Sequence, residues 1–201
     1  MPWTFGPEFA GHPTPVEMRE LRGFTPIQRA AAFRARMDSF YFKQVGTIAA
    51  KSPWAPFPLA IMTCIGLETI GAYKYGDAPR DDNRHFRSVA EELHGGFARE
   101  ENDPRGNAVT LSTFLYQGFR NSLAHGFYGK WVFITHDPAK AKTFKFDKRE
   151  GLLVLNVYWF YERFSVVANK YLDQLCFATD VAAEPLRTFD ETFRKNFSHW
   201  L

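Results

Sequence analysis

Along most of the chain apolar positions recur at the three-and-four spacing of amphipathic helices, and over one stretch they switch to the shorter period of strands. Residues 1–24 hold four prolines and little periodicity, which predicts an irregular N-terminal arm. Thr25 followed by Pro26 supplies an N-cap and a first-turn proline, opening a helix expected to run to about Ala50. The three prolines between Pro53 and Pro58 must end it. A second helix, about Leu59 to Tyr75, is apolar nearly all round, as a central element would be, and Gly76 stops it. A third, about Asp82 to Ala98, sets Phe86, Val89, Leu93 and Phe97 on one stripe, with ENDPRGN as the loop after it. A fourth runs from about Ala108 to His125. Beyond it KWVFITH, KTFKFD and LLVLNV are β-branched and aromatic runs divided by Asp-Pro and Glu-Gly turn signals, predicting an antiparallel hairpin or three-stranded ribbon inserted over 130–157. Helix resumes from about Tyr158 to Phe177. A last amphipathic segment, 182–200, places Leu186, Phe189, Phe193, Phe197 and Trp200 along one docking stripe. The expected architecture is mainly α, a bundle of about five to six helices with a small β insertion, in a single domain over 1–201.

Composition changes this picture little but removes function classes. A hydrophobic fraction of 45% and a charged fraction of 23% are those of a folded globular chain. Phenylalanine stands out at 21 of 201 residues; an aromatic-rich core accounts for it, whereas stacking platforms for bases would need exposed rings. Lysine plus arginine exceed aspartate plus glutamate by only 25 to 22, so any nucleic-acid surface must be local. Cys64 and Cys176 have no Cys-x-x-Cys spacing, and MPWTFGPEFAGHP lacks the basic and apolar regions of an export signal, so a reduced, cytoplasmic chain is expected. The most apolar stretch, Pro56 to Tyr73, carries Glu68, and no membrane span is expected.

Familiar catalytic spacings are missing: no Gly-x-Ser-x-Gly elbow, phosphate loop, dinucleotide fingerprint, His-Glu-x-x-His or paired Cys-His zinc set occurs. No metal or cofactor is expected. His12, His85, His94, His136 and His199 stand singly, which leaves FRNSLAHGFYGKW, Phe119 to Trp131. On an ideal helix Asn121 and His125 lie about 40° apart and share a face, while Arg120 is roughly 140° from His125 and reaches round on its long stem. Gly126 suits the position just past a helix end, putting His125 in the last turn, where the dipole favours the imidazolium and a nearby guanidinium opposes it. Such opposed influences hold a histidine near neutral pH, where a general acid or base works, and a guanidinium beside it fits a phosphate gaining charge. The alternative from the same spacing is structural: a histidine serving as cap and dipole partner, and Arg120 paired with Glu68 of the apolar second helix.

Arg120-Asn121-Ser122-Leu123-Ala124-His125 resembles the signature of the HEPN superfamily, an arginine followed by a polar residue and then a histidine, near the end of a late helix in a helical bundle. Phe119, Gly126 and the upstream acid-containing helix IMTCIGLETIGAYKYG are similar to the same pattern. The resemblance implies a metal-independent endoribonuclease, or a non-catalytic relative that binds RNA, nucleotide or a protein, dimeric and often part of a toxin–antitoxin or phage-defence system. It gives catalytic roles to Arg120, Asn121 and His125, with Glu68 supporting the motif. In the branch whose antitoxin is a nucleotidyltransferase a tyrosine stands two residues after the histidine; here that residue is Phe127, with Tyr128 one later, so regulation through that tyrosine is not implied.

Two expectations about surfaces follow. The ribbon after the motif, HDPAKAKTFKFDKREG, is locally basic, and with Lys130 its Lys140, Lys142 and Lys145 are candidates to guide single-stranded RNA, Tyr128 and Trp131 offering ring faces. A solvated hairpin with gatekeeper lysines is the competing explanation. One motif supplies one titratable group where phosphodiester cleavage needs two, so a homodimer is expected, with two motif helices meeting at a two-fold axis and Phe114, Tyr116 and Phe119 contributing to the contact.

Overall fold

The computed structural model describes residues 4–12, 14–51, 55–76, 83–120, 131–137 and 139–199. Backbone contacts group the chain into two compact units: Met1–Thr47 with Ala72–Asp77 and Ala168–Leu201, and Ile48–Gly71 with Ala78–Val167.

In the first unit α1 (Pro26–Arg36) begins with a reciprocal cap: Gln28 N donates to the Thr25 hydroxyl, and Thr25 N donates to Gln28 Oε1 at 2.8 Å. The helical path continues through a π-helical turn, Met37–Phe42, into α2 (Lys43–Lys51). The N-terminal arm is more ordered than its prolines led us to expect. Strands β1 (Thr4–Gly6) and β2 (Val16–Glu17) pair antiparallel, and a 3₁₀ segment, Met18–Gly23, follows. Phe5, Val16 and Leu21 are fully buried, so burial of three scattered apolar side chains fixes a segment without period. The unit also holds the last turn of α3 (Pro56–Tyr75), the C-terminal part of α6 (Val157–Cys176) and α7 (Glu184–Asn196). Leu186, Phe189 and Phe193 of α7 are buried as their stripe predicts. The rings cluster, with Phe33 and Tyr73 at 4.4 Å and Phe189 and Phe193 at 5.6 Å. Phe197 is half-buried, edge-on to Phe5 at 5.3 Å, and Trp200 lies outside the described residues.

The second unit is organised by α3. Its length and composition alone would suffice to cross a membrane, and half of its most apolar window is buried inside the protein. At Gly71 α3 approaches the start of α4 (Arg84–Leu93) so closely that an added Cβ would stand 2.7 Å from the His85 carbonyl oxygen. The third predicted helix divides at His94, whose backbone is extended; Gly95-Gly96 then begins a 3₁₀ turn, Gly95–Ala98. ENDPRGN is a hairpin. β3 (Glu100–Asn102) pairs antiparallel with β4 (Ala108–Thr110), and Asp103 Oδ1 accepts from the backbone of Arg105 and Asn107 at 2.8 Å each, with Gly106 at positive φ. The fourth helix therefore starts at Leu111, capped by Thr110, as α5 (Leu111–Phe114) and a π-helical turn, Leu115–Arg120.

Strands β5 (Val132–Thr135), β6 (Phe144–Asp147) and β7 (Leu152–Asn156) form one sheet in the order β5-β7-β6. The ribbon expected to be antiparallel is mixed: β6 and β7 form the hairpin, turning at Gly151 with φ +63°, while β5 runs parallel to β7. The connection 136–143 makes this possible by crossing the end of the sheet, where Asn156 N donates to the Thr143 carbonyl and Asn156 Nδ2 to the Ala141 carbonyl. Leu153, Leu155, Val132, Phe144 and Phe146 share the inner face, and Phe97 stacks on Phe144 at 4.3 Å. The described residues thus form a mainly helical protein with seven α-helices and small sheets.

Candidate functional site

Arg120 ends the second π-helical turn, and α3 presents Glu68 to it. Nε lies 2.6 Å from Glu68 Oε1 and Nη2 3.0 Å from Oε2, a bidentate fork with both side chains about one-third exposed. The guanidinium also lies over the ring of Tyr116, one turn earlier, at 5.5 Å. The bond from Glu68 raises the pKa of Arg120 further, so this cation never titrates. One turn before Glu68, burial pushes the Cys64 thiol up, Glu68 adds to that and Arg120 opposes it, so Cys64 is an inert core thiol.

Gly118, two residues before Arg120, has a packing purpose. A Cβ there would meet Trp131 Cβ at 3.3 Å, so Trp131 packs directly against the π-helical turn. Trp131 is half-buried and edge-on to Phe114 at 6.1 Å. Arg120 is thereby held by Glu68, and Trp131 packs against Gly118.

Of the candidate catalytic residues, Arg120 is placed as described; Asn121 and His125 lie outside the described residues, as do Tyr128 and Lys130. Lys140, Lys142 and Lys145 are exposed and have no ion pair with a described residue, whereas Lys148 meets Glu101 at 3.6 Å. Phe114 and Phe119 require a correction: both are fully buried within the protomer, packed inward by the π-helical turn, and neither is surface for a second copy. Among the described residues no three His, Cys, Asp or Glu side chains gather as a metal would require.

Sequence reasoning passed over Phe133. The residue is 48% exposed, Lys140 Nζ stands over its ring at 5.6 Å, and a surface pocket of about 470 Å³ runs along Phe133, Ile134, Thr135, His136, Asp137 and Lys140. The signal was present in the alternation of WVFIT: with Val132 and Ile134 turned inward, Phe133 must face out.

Compared with models of protein families, with curated proteins and with solved structures, the chain gives no match.

Proposed function

We propose that the protein is a metal-independent endoribonuclease of the HEPN type, acting on single-stranded RNA as a homodimer. The observation that carries this reading is the bidentate Glu68–Arg120 pair, which holds the first residue of the Arg120-to-His125 motif in one orientation at the end of its helical turn. In the proposed reaction neutral His125 takes the proton from a ribose 2′-hydroxyl, and the 2′-oxygen attacks the adjacent phosphorus. Arg120 stabilises the charge gathering on the phosphorane, and Asn121 orients the imidazole or contacts phosphate. The 5′-oxygen leaves with a proton from the imidazolium of the second copy's His125, giving a 2′,3′-cyclic phosphate and a 5′-hydroxyl. The HEPN resemblance also supports a place in a toxin–antitoxin or phage-defence pair.

The same ion pair favours a second reading. One guanidinium edge, Nε and Nη2, committed to Glu68 leaves less of Arg120 for phosphate, which suits a non-catalytic RNA- or nucleotide-binding or protein-interaction module. Incubation of labelled single-stranded RNA with the protein in excess chelator separates the two. Cleavage that falls by about 10²-fold or more in His125→Ala supports the nuclease. Glu68→Gln, which keeps one hydrogen bond and removes the charge, is expected to lower the rate without abolishing it. RNA that binds and stays intact supports the module. Light scattering is expected to give twice the chain mass; a monomer that cleaves RNA would remove the shared-site mechanism.

A further inference from the structure

We propose that the outer face of the mixed sheet is a binding site for single-stranded RNA, in which Phe133 stacks on a base and Lys140 and Lys145 hold the phosphates beside it. Register puts these groups together: Phe133 stands opposite Val154 on β7, and Val154 opposite Lys145 on β6, so the three share the face turned away from the core. Two strand spacings separate ring from lysine, about 10 Å. The opposite face already supplies the apolar packing, and Phe133 remains half-exposed beside a pocket large enough for a nucleotide-sized group.

The charge around the ring favours an anion. Lys140 reaches the ring from the connection 136–143, and neither it, Lys142 nor Lys145 has a carboxylate partner among the described residues. Asp137, the one acid among the described residues that line the pocket, is turned into its own turn, Oδ1 accepting from Ala139 N at 2.9 Å. A flat apolar ring flanked by unpaired lysines matches a chain of bases and phosphates, since every base offers a π-face and every link a negative charge. A partner protein would need apolar area beyond one ring, and an acidic partner would not need the ring.

The site rests on the RNA-directed reading above but not on catalysis, and the test separates them. A fluorescein-labelled 2′-O-methyl oligouridylate has its nucleophile blocked, so anisotropy titration of the wild-type protein reads binding alone. Phe133→Ala is expected to weaken binding roughly tenfold, Phe133→Tyr to retain it, and Lys140→Gln to shrink the salt slope by about 0.7. An abasic oligomer is expected to bind wild type and Phe133→Ala alike. Phe133 is exposed enough for these changes to leave the fold intact, which circular dichroism checks. Equal affinity of wild type and Phe133→Ala for the oligouridylate overturns the site, as does absence of binding. A change of molecular mass in Phe133→Ala with RNA binding unaltered overturns it in favour of a contact between copies. Cleavage of unmodified RNA by wild type is scored apart: cleavage together with Phe133-independent binding rejects the site and keeps the nuclease, and Phe133-dependent binding without cleavage does the reverse.

Discussion

Arg29 is 1% exposed, and a guanidinium can be so placed only if its donors are met. Nε and Nη2 donate to the two oxygens of Asp190 at 2.5 and 3.0 Å, and Nη1 donates to the Phe24 carbonyl. Asp190 also accepts from Arg194 at 3.0 Å. Asp190→Asn leaves a buried cation without its counter-charge and is expected to cost about 3–5 kcal/mol in urea unfolding; Arg29→Met removes the cation itself and is expected to cost less. A loss below about 1 kcal/mol for Asp190→Asn would rank the pair with surface bridges. The Glu68–Arg120 pair was legible in the sequence, because a carboxylate in a helix as apolar as α3 demands a cation and the motif supplies one. Arg29 gave no such sign: IQRAAAF reads as an ordinary amphipathic turn, and its partner lies 161 residues away.

At the scale of elements, glycine positions discriminate between tight and merely close packing. Gly71→Ala would drive a Cβ to 2.7 Å from the His85 carbonyl oxygen and 2.9 Å from its carbon, both backbone atoms that move only if α3 and α4 part. A cost of about 1–3 kcal/mol is expected. Gly118→Ala meets Trp131 at 3.3 Å, where a side chain can give, so its cost is expected to be smaller; thermal melts of the two variants rank them, and the reverse order would refute the assignment. The helices were legible because their apolar periods are long and their caps conventional, Thr25-Pro26 above all. What escaped was strand pairing with weak local signal. Glu100-Glu101-Asn102 has little strand propensity, and its hairpin forms because Asp103 and Asn107 close the loop. The parallel partnership of β5 and β7 escaped for a related reason, since alternation gives the face of each residue and not the direction of the neighbouring strand.

For the molecule as a whole, acids raised by burial are expected to weaken stability toward alkaline pH, and each unit holds one that is almost wholly buried. Burial raises the pKa of Cys64 in the second unit and of Tyr171 in the first, where the Tyr171 hydroxyl donates to the Tyr73 carbonyl at 2.8 Å. Both are neutral when protonated, so a raised folded-state pKa means the folded protein keeps protons that the unfolded chain releases. The stability they contribute is fully present below the unfolded values, about 8.5 for the thiol and about 10 for the phenol, and is lost as the pH climbs from there toward the folded values. Denaturation midpoints are expected to fall between about pH 8.5 and 11, and Tyr171→Phe to flatten the upper part of that fall. A midpoint constant to pH 11 would contradict the burial of these groups. Of the candidate site, the sequence made Arg120 and Glu68 readable through charge economy; Phe133 was harder, because its exposure follows from a sheet whose inner face had first to be assigned.

The parallel pairing of β5 with β7 also dictates an order of events as the chain is made. β5 is synthesised first and its partner last, and at ordinary elongation rates the interval from Val132 to Asn156 is on the order of seconds. During that interval β5 is a bare edge of aromatic and β-branched residues with nothing to join. β6 and β7 are local neighbours and close through a short turn, so the hairpin is expected to form first and then to capture the waiting strand. The lysines at 140, 142 and 145 follow β5 directly in the chain, the charge pattern expected of gatekeepers beside a strand that waits for its partner.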